Sequence, residues 1–159
     1  MSRYTILFLL LFGIAISSNA QNDYKNAIGV RVGPSSGMTY KTTFRNNKSA
    51  EFLLTTRWGA LMGTGLFEIS QDIFGINRFN FYYGLGGHVG LWNGEKDQAW
   101  FDSEDTEMMA GVDGIIGMGF TFEKIPFEIS LDWKPVFNIA AYTDFWVDEG
   151  AFSLRYIIN

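Results

Sequence analysis

The chain has 159 residues, with 12 Lys and Arg against 17 Asp and Glu, a net charge of −5 and no cysteine. An acidic chain without a basic cluster excludes nucleic acid as a partner, because phosphate contacts need grouped Lys and Arg. The missing thiols exclude disulfides, thiolate metal sites and cysteine nucleophiles.

Residues 1–20 read as a secretory signal peptide. Arg3 supplies the positive start, residues 5–16 an apolar run, and Ser18, Asn19 and Ala20 a small-residue cleavage site. The run is shorter than the roughly 20 residues a membrane-spanning helix needs. Cleavage near Ala20 leaves residues 21–159 as one domain, and no cysteine follows the cut to carry a lipid anchor. Hydrophobic residues make up 47% of the chain and aromatics 17%, yet no later apolar stretch reaches helix-spanning length. Such dilution of apolar residues by alternation is the pattern of a transmembrane barrel.

Residues 27–33 alternate, with Ile28, Val30 and Val32 on one face and Gly29, Arg31 and Gly33 on the other. A turn at 34–37 leads to residues 38–44, where Met38, Tyr40, Thr42 and Phe44 oppose Thr39, Lys41 and Thr43. After a polar turn at 45–50, residues 51–58 set Phe52, Leu54, Thr56 and Trp58 against Glu51, Leu53, Thr55 and Arg57. A reversal at 59–62 precedes a strand over 63–70, whose pattern is mixed because Leu66 and Glu68 share a face. A connection at 71–78 leads to a long strand at 80–92, with Phe81, Tyr83, Leu85, Val89 and Leu91 opposite Tyr82, Gly84, Gly86, His88 and Gly90.

An acidic loop is expected at 93–107, then a hairpin of strands 111–123 and 127–136 joined at 124–126. Its return strand carries Phe127, Ile129, Leu131 and Trp133 on one face and Glu128, Ser130, Asp132 and Lys134 on the other. A second acidic loop at 140–149 leads to a last strand at 151–158. The sum is an all-β chain: an eight-stranded antiparallel up-and-down transmembrane β-barrel after a cleaved signal peptide. An even antiparallel set closes without leaving an edge.

Alternation alone does not say which face points inward. A soluble secreted or periplasmic lipocalin-like barrel binding an apolar ligand has the same period with apolar residues inside. Three features favour a polar interior. The polar face holds small residues, among them Gly29, Gly84, Gly86, Gly117 and Gly119, which a crowded eight-stranded interior needs. Its charges balance: Arg31, Lys41, Arg57, Lys134 and Arg155 face Glu51, Glu68, Asp113, Glu128 and Asp132, with His88 among them. The opposite face is too greasy to expose to water around a whole barrel. Turning the five bases toward lipid, at roughly 2–4 kcal/mol each near the midplane, would cost on the order of 10 kcal/mol, comparable to the stability of a domain.

With these segments assigned, the chain resembles the small eight-stranded outer-membrane barrels of the OmpA/OmpX type in Gram-negative bacteria. The resemblance covers the mature chain and rests on residues 111–117 (GVDGIIG), 126–135 (PFEISLDWKP) and 152–156 (FSLRY). It implies residence in the outer membrane among its lipids, and insertion by the outer-membrane assembly machinery, which reads a terminal strand usually ending in an aromatic residue. Tyr156 is present here, but the last residue is Asn159.

Candidate chemistry is sparse. His88 is the lone histidine, so a histidine metal site or a Ser/His/Asp triad would rest wholly on it. Asp113, Glu128 and Asp132 invite an acid–base reading, but share their face with Arg31, Lys134 and Arg155, which points to ion pairing. Residues 84–90 are glycine-rich, but lie within one strand rather than between a strand and a helix, which excludes a phosphate loop. No catalytic residue, metal or cofactor is therefore assigned. A membrane-embedded lipid hydrolase or acyltransferase is the enzymatic alternative, and it lacks a rim-placed base.

The expected outer loops carry Glu95, Asp97, Asp102, Glu104, Asp105 and Glu107 with one Lys96, and Asp144, Asp148 and Glu149, interleaved with Trp100, Phe101, Phe145 and Trp146. The acids suit a hydrated surface better than a Ca²⁺ loop, whose spacing is missing. The aromatics suit the girdle at the headgroup level. Loops 93–107 and 140–149 are where an extracellular protein would contact this monomeric barrel.

Overall fold

The computed structural model describes residues 26–44, 47–72, 75–76, 78–93, 106–140 and 143–158. The signal segment 1–20 and the loop residues Glu95, Asp97, Trp100, Phe101, Asp102, Glu104 and Asp105 lie outside the described residues.

The described chain is built of strands: β1 (Asn26–Val32), β2 (Ser36–Thr43), β3 (Lys48–Arg57), β4 (Ala60–Asp72), β5 (Phe79–Asn93), β6 (Thr106–Thr121), β7 (Phe127–Trp133), β8 (Val136–Ala140), β9 (Asp144–Trp146) and β10 (Gly150–Ile158). Every pairing is antiparallel. Neighbours in sequence pair from β1 through β7, β7 pairs with β10, and β10 returns to β1, which closes the ring. β7 and β8 both lie on β6 and form one barrel strand; β9 and β10 form another, lying on β8 and β7. The ten segments therefore make a closed eight-stranded barrel. Asn26 sits opposite Ile158, so the first and last strands start and finish at the same end.

Period-two alternation organises the wall. On β3, Ser49, Glu51, Leu53, Thr55 and Arg57 are buried, while Phe52 and Leu54 are exposed. The same inversion runs around the ring, with Val30, Met38, Phe67, Leu85, Val112, Leu131, Phe137 and Leu154 exposed and the intervening polar residues buried. Leu85 is 75% exposed. The interior is not purely ionic, since Leu53, Leu66, Tyr82 and Ile115 form a small apolar cluster inside. That cluster explains the mixed pattern over 63–70, where Leu66 and Glu68 both point inward.

Glycine makes the interior possible. A Cβ on Gly117 would sit 2.6 Å from Asp132 Cβ and from Tyr82 Cζ. One on Gly86 would collide with the Gly65 carbonyl of β4. The inner face has no room for side chains at these positions.

Strand ends differ from expectation: β2 starts at Ser36 and β3 at Lys48, inside the expected turns, and β9 lies within the expected loop at 140–149. Four further differences have a local structural reason. The reversal expected at 59–62 is a two-residue hairpin at Trp58 and Gly59, both with positive φ (48° and 79°), the geometry that matches strand twist. β4 therefore starts at Ala60. β6 begins at Thr106, with Glu107 paired to Trp92, so the acidic loop is shorter at that end than 93–107. The strand expected at 127–136 is interrupted at Lys134 and Pro135, because proline offers no N–H; register survives, since Gly114 N donates to Pro135 O at 3.0 Å.

The last difference changes side-chain direction. Lys134 N donates to Glu149 O, and Val136 pairs with Trp146, so Val147 and Asp148 together oppose Pro135 alone. This is a β-bulge, and it flips the alternation. Glu149 points inward in phase with Ala151, Ser153 and Arg155, and beyond the bulge Trp146 also points inward.

Gly86→Ala tests interior crowding. Forcing a Cβ against the Gly65 carbonyl is expected to destabilise the barrel by about 1–3 kcal/mol. The readout is a lower unfolding midpoint in detergent.

Candidate functional site

The buried polar residues converge in three tiers along the barrel. Nearest the chain ends is Arg155, fully buried on β10. Its Nη1 donates to Glu128 Oε1 at 2.9 Å and Ser130 Oγ at 2.8 Å, its Nε to Thr39 Oγ1 at 3.1 Å, and its Nη2 pairs with Glu51. The Thr39 hydroxyl donates in turn to Glu51 Oε1 at 2.5 Å. Beside it, Lys41 Nζ lies 2.6 Å from Glu68 Oε2 and 4.2 Å from the centre of the Tyr82 ring, while Ser49 Oγ donates to Glu68 at 3.3 Å.

The middle tier holds two sets. Arg31 grips Asp132 with both terminal nitrogens, at 2.8 and 2.6 Å, and the Tyr82 hydroxyl donates to the same carboxylate at 3.1 Å. The parallel-fork geometry makes this the strongest kind of side-chain pair. Across the interior, Asp113 accepts from Lys134 Nζ at 3.4 Å and lies 3.0 Å from His88 Nδ1, while His88 Nε2 is 2.9 Å from Asn138 Oδ1.

The third tier, at the far end, is built on Arg57. Its Nη2 donates to both oxygens of Asp148 at 2.9 and 2.8 Å, and its Nη1 pairs with Glu149, which also accepts from Ser35 Oγ at 2.8 Å. The guanidinium lies 3.7 Å from the Trp58 ring centre and 4.9 Å from that of Trp146. Beneath it, Trp146 packs with Ala60, Met62, Met109 and Val136. The hydrogen bonds from Arg57 hold the solvent-facing Asp148 carboxyl below the usual carboxylate range. That contribution is present at neutral pH and is lost as pH falls through the lowered value.

All eleven residues assigned to the inner face, Arg31, Lys41, Glu51, Arg57, Glu68, His88, Asp113, Glu128, Asp132, Lys134 and Arg155, are buried. Two residues assigned to an outer loop are not there. Glu149 is 0% exposed and bonded to Arg57 and Ser35, and Trp146 is 6% exposed in an apolar cluster. Asp148 remains exposed but is tied to Arg57, and Asp144 is exposed on β9, where it accepts from Trp146 Nε1 at 2.9 Å. Phe145 faces outward. Glu149 was within reach of the pattern, since it lies two residues before Ala151 in the phase of the last strand. Trp146 was not, because the bulge that turns it inward depends on Pro135 of the neighbouring strand.

This arrangement neutralises charge. Each buried carboxylate accepts from a base, a hydroxyl or both, as buried ions require. The ring nitrogens of His88 are taken by Asp113 and Asn138, neither of them a hydroxyl nucleophile. Among the described residues, no three His, Asp or Glu side chains converge as metal ligands would.

Two paired substitutions check the energetics. Asp132→Leu leaves the Arg31 guanidinium buried without a counter-ion, for an expected loss of about 3–5 kcal/mol. Its outward neighbour Leu131→Ala should cost within about 0.5 kcal/mol in detergent. Equal unfolding midpoints would contradict the inside/outside energetics. At the far end, Glu149→Gln should lower the midpoint clearly more than Asp148→Asn, because only Glu149 is shielded from water.

Comparison of the chain with protein-family models, with curated proteins and with solved structures finds no match.

Proposed function

We propose that this chain is an outer-membrane β-barrel of structural or interaction type, exported by a cleaved signal peptide, its lumen plugged by ion pairs. The observation that carries the reading is the inversion of the wall: large apolar side chains stand exposed on the outside while charged side chains are buried within. In water such an outer surface far exceeds the few hundred Å² of contiguous apolar patch that soluble monomers tolerate. In lipid it is the required surface, and the closed strand ring satisfies the backbone that lipid cannot.

A lipocalin-like barrel needs an apolar cavity for its ligand, and the described interior is dominated by Arg31–Asp132, Arg155–Glu51–Glu128 and Lys41–Glu68 instead. That weighs against the soluble alternative. A lipid-modifying enzyme would need a base beside a nucleophile facing the lipid, whereas His88 is buried between two amide and carboxylate partners. The functional surface is then the outer end of the barrel, where Asp144, Phe145, Val147 and Asp148 stand exposed and the acidic and aromatic residues of 95–105 follow β5 in sequence, offering contacts to a partner outside the cell.

Membrane fractionation with a heated-against-unheated gel comparison tests the location. The chain should co-sediment with outer membranes, and the unheated, folded form should migrate differently from the heated one. Recovery as a soluble periplasmic protein would overturn the proposal. In planar bilayers an eight-stranded barrel filled by side chains should show no steady large openings.

A further inference from the structure

Among the described residues, the fully buried ionisable groups of the interior comprise five bases, Arg31, Lys41, Arg57, Lys134 and Arg155, and six acids, Glu51, Glu68, Asp113, Glu128, Asp132 and Glu149. A buried charge without a counter-charge is strongly disfavoured. The interior therefore needs one proton more than its bases supply. It can rest on the ring of His88 or on one of the buried carboxyls, and among these Glu51 and Glu68 are the two that lie side by side on adjacent strands.

The pair is Glu51 and Glu68. Their strands put them two residues apart on one inward face, since Glu51 pairs with Leu66 and Ser49 with Glu68. Each has one oxygen engaged: Glu51 Oε1 accepts from Thr39 and Arg155, and Glu68 Oε2 from Lys41 and Ser49. The other oxygens, Glu51 Oε2 and Glu68 Oε1, are buried without a donor, and the diagonal placement of the two residues on adjacent strands puts their long side chains within reach of each other. Two carboxylates have only acceptors to offer. They can bond only through a proton.

We infer that Glu51 and Glu68 share a single proton in the folded barrel, forming a carboxylic acid–carboxylate pair inside the lumen. Glu51 is the anionic partner, because Arg155 donates to it together with Thr39, and a guanidinium, unlike the Lys41 ammonium beside Glu68, does not give up its charge. Glu68 is the acid, donating toward Glu51 and accepting from Lys41 and Ser49. With that proton in place the six acids carry five negative charges, matching the five bases, and His88 is neutral. A neutral His88 is compatible with its surroundings: Nδ1–H donates to Asp113, and turning the Asn138 amide lets its unpartnered Nδ2 donate to Nε2. A metal cation between the carboxyls is disfavoured by the ammonium and guanidinium already bonded to them.

The test is infrared spectroscopy of the refolded full chain in detergent at neutral pH, where exposed carboxyls are ionised and a protonated carboxyl shows its own C=O stretch. The wild-type barrel should show that band. Glu68→Gln should abolish it and keep the unfolding midpoint close to wild type, because the amide donates to Glu51 in the proton's place. Glu51→Gln should lower the midpoint markedly by leaving Arg155 without its carboxylate. His88→Gln should retain the band. Absence of the band from the wild-type chain, its persistence in Glu68→Gln, or its loss in His88→Gln would overturn the inference. The wild-type measurement needs no variant to fold, and it is independent of which membrane the barrel occupies.

Discussion

Arg155 is fully buried. Its guanidinium is completed by Glu51 from β3, Glu128 and Ser130 from β7, and Thr39 from β2, so one side chain ties four strands together across the interior. Closing eight strands leaves an interior only as wide as the side chains that fill it. Once the ring is closed, any ion inside must be matched by another ion or by donors of the right kind. Pairing is therefore a condition of closure rather than an addition to it, and the remaining ion pairs follow from the same constraint.

The constraint explains features that look unrelated. The bare Cα of Gly117 leaves the space in which Tyr82 and Asp132 meet, and Gly86 gives the same clearance to the β4 backbone at Gly65. Trp58 accepts a positive φ in a two-residue turn, where its ring covers the Arg57 guanidinium. Trp92 Nε1 donates to the Trp58 carbonyl at 3.3 Å and so secures the same turn. The bulge at Val147 and Asp148 delivers Glu149 to Arg57 from one side and Trp146 to its face from the other. Each local irregularity serves the closing of one buried cation.

Much of this was legible in the chain. The return strand 127–133 announces its two faces by strict alternation, and Asp132 and Leu131 stand on the faces their chemistry assigns. The pairing partners were not legible. Nothing in residues 31 and 132 says that they meet, because 101 positions separate them and only the ring brings them together. Nor could period-two reading carry past Pro135, since the bulge arises where one strand has two residues against the other's one.

What the sequence by itself determined is the strand pattern, the sign of each face and the need for an enclosed charge balance, because side-chain alternation is a property of the extended backbone alone. What only the tertiary structure decided is who pairs with whom, where the alternation breaks, and that Trp146 turns into the interior beyond the bulge. Those depend on strand register and ring closure, which place residues from opposite ends of the chain within hydrogen-bonding distance.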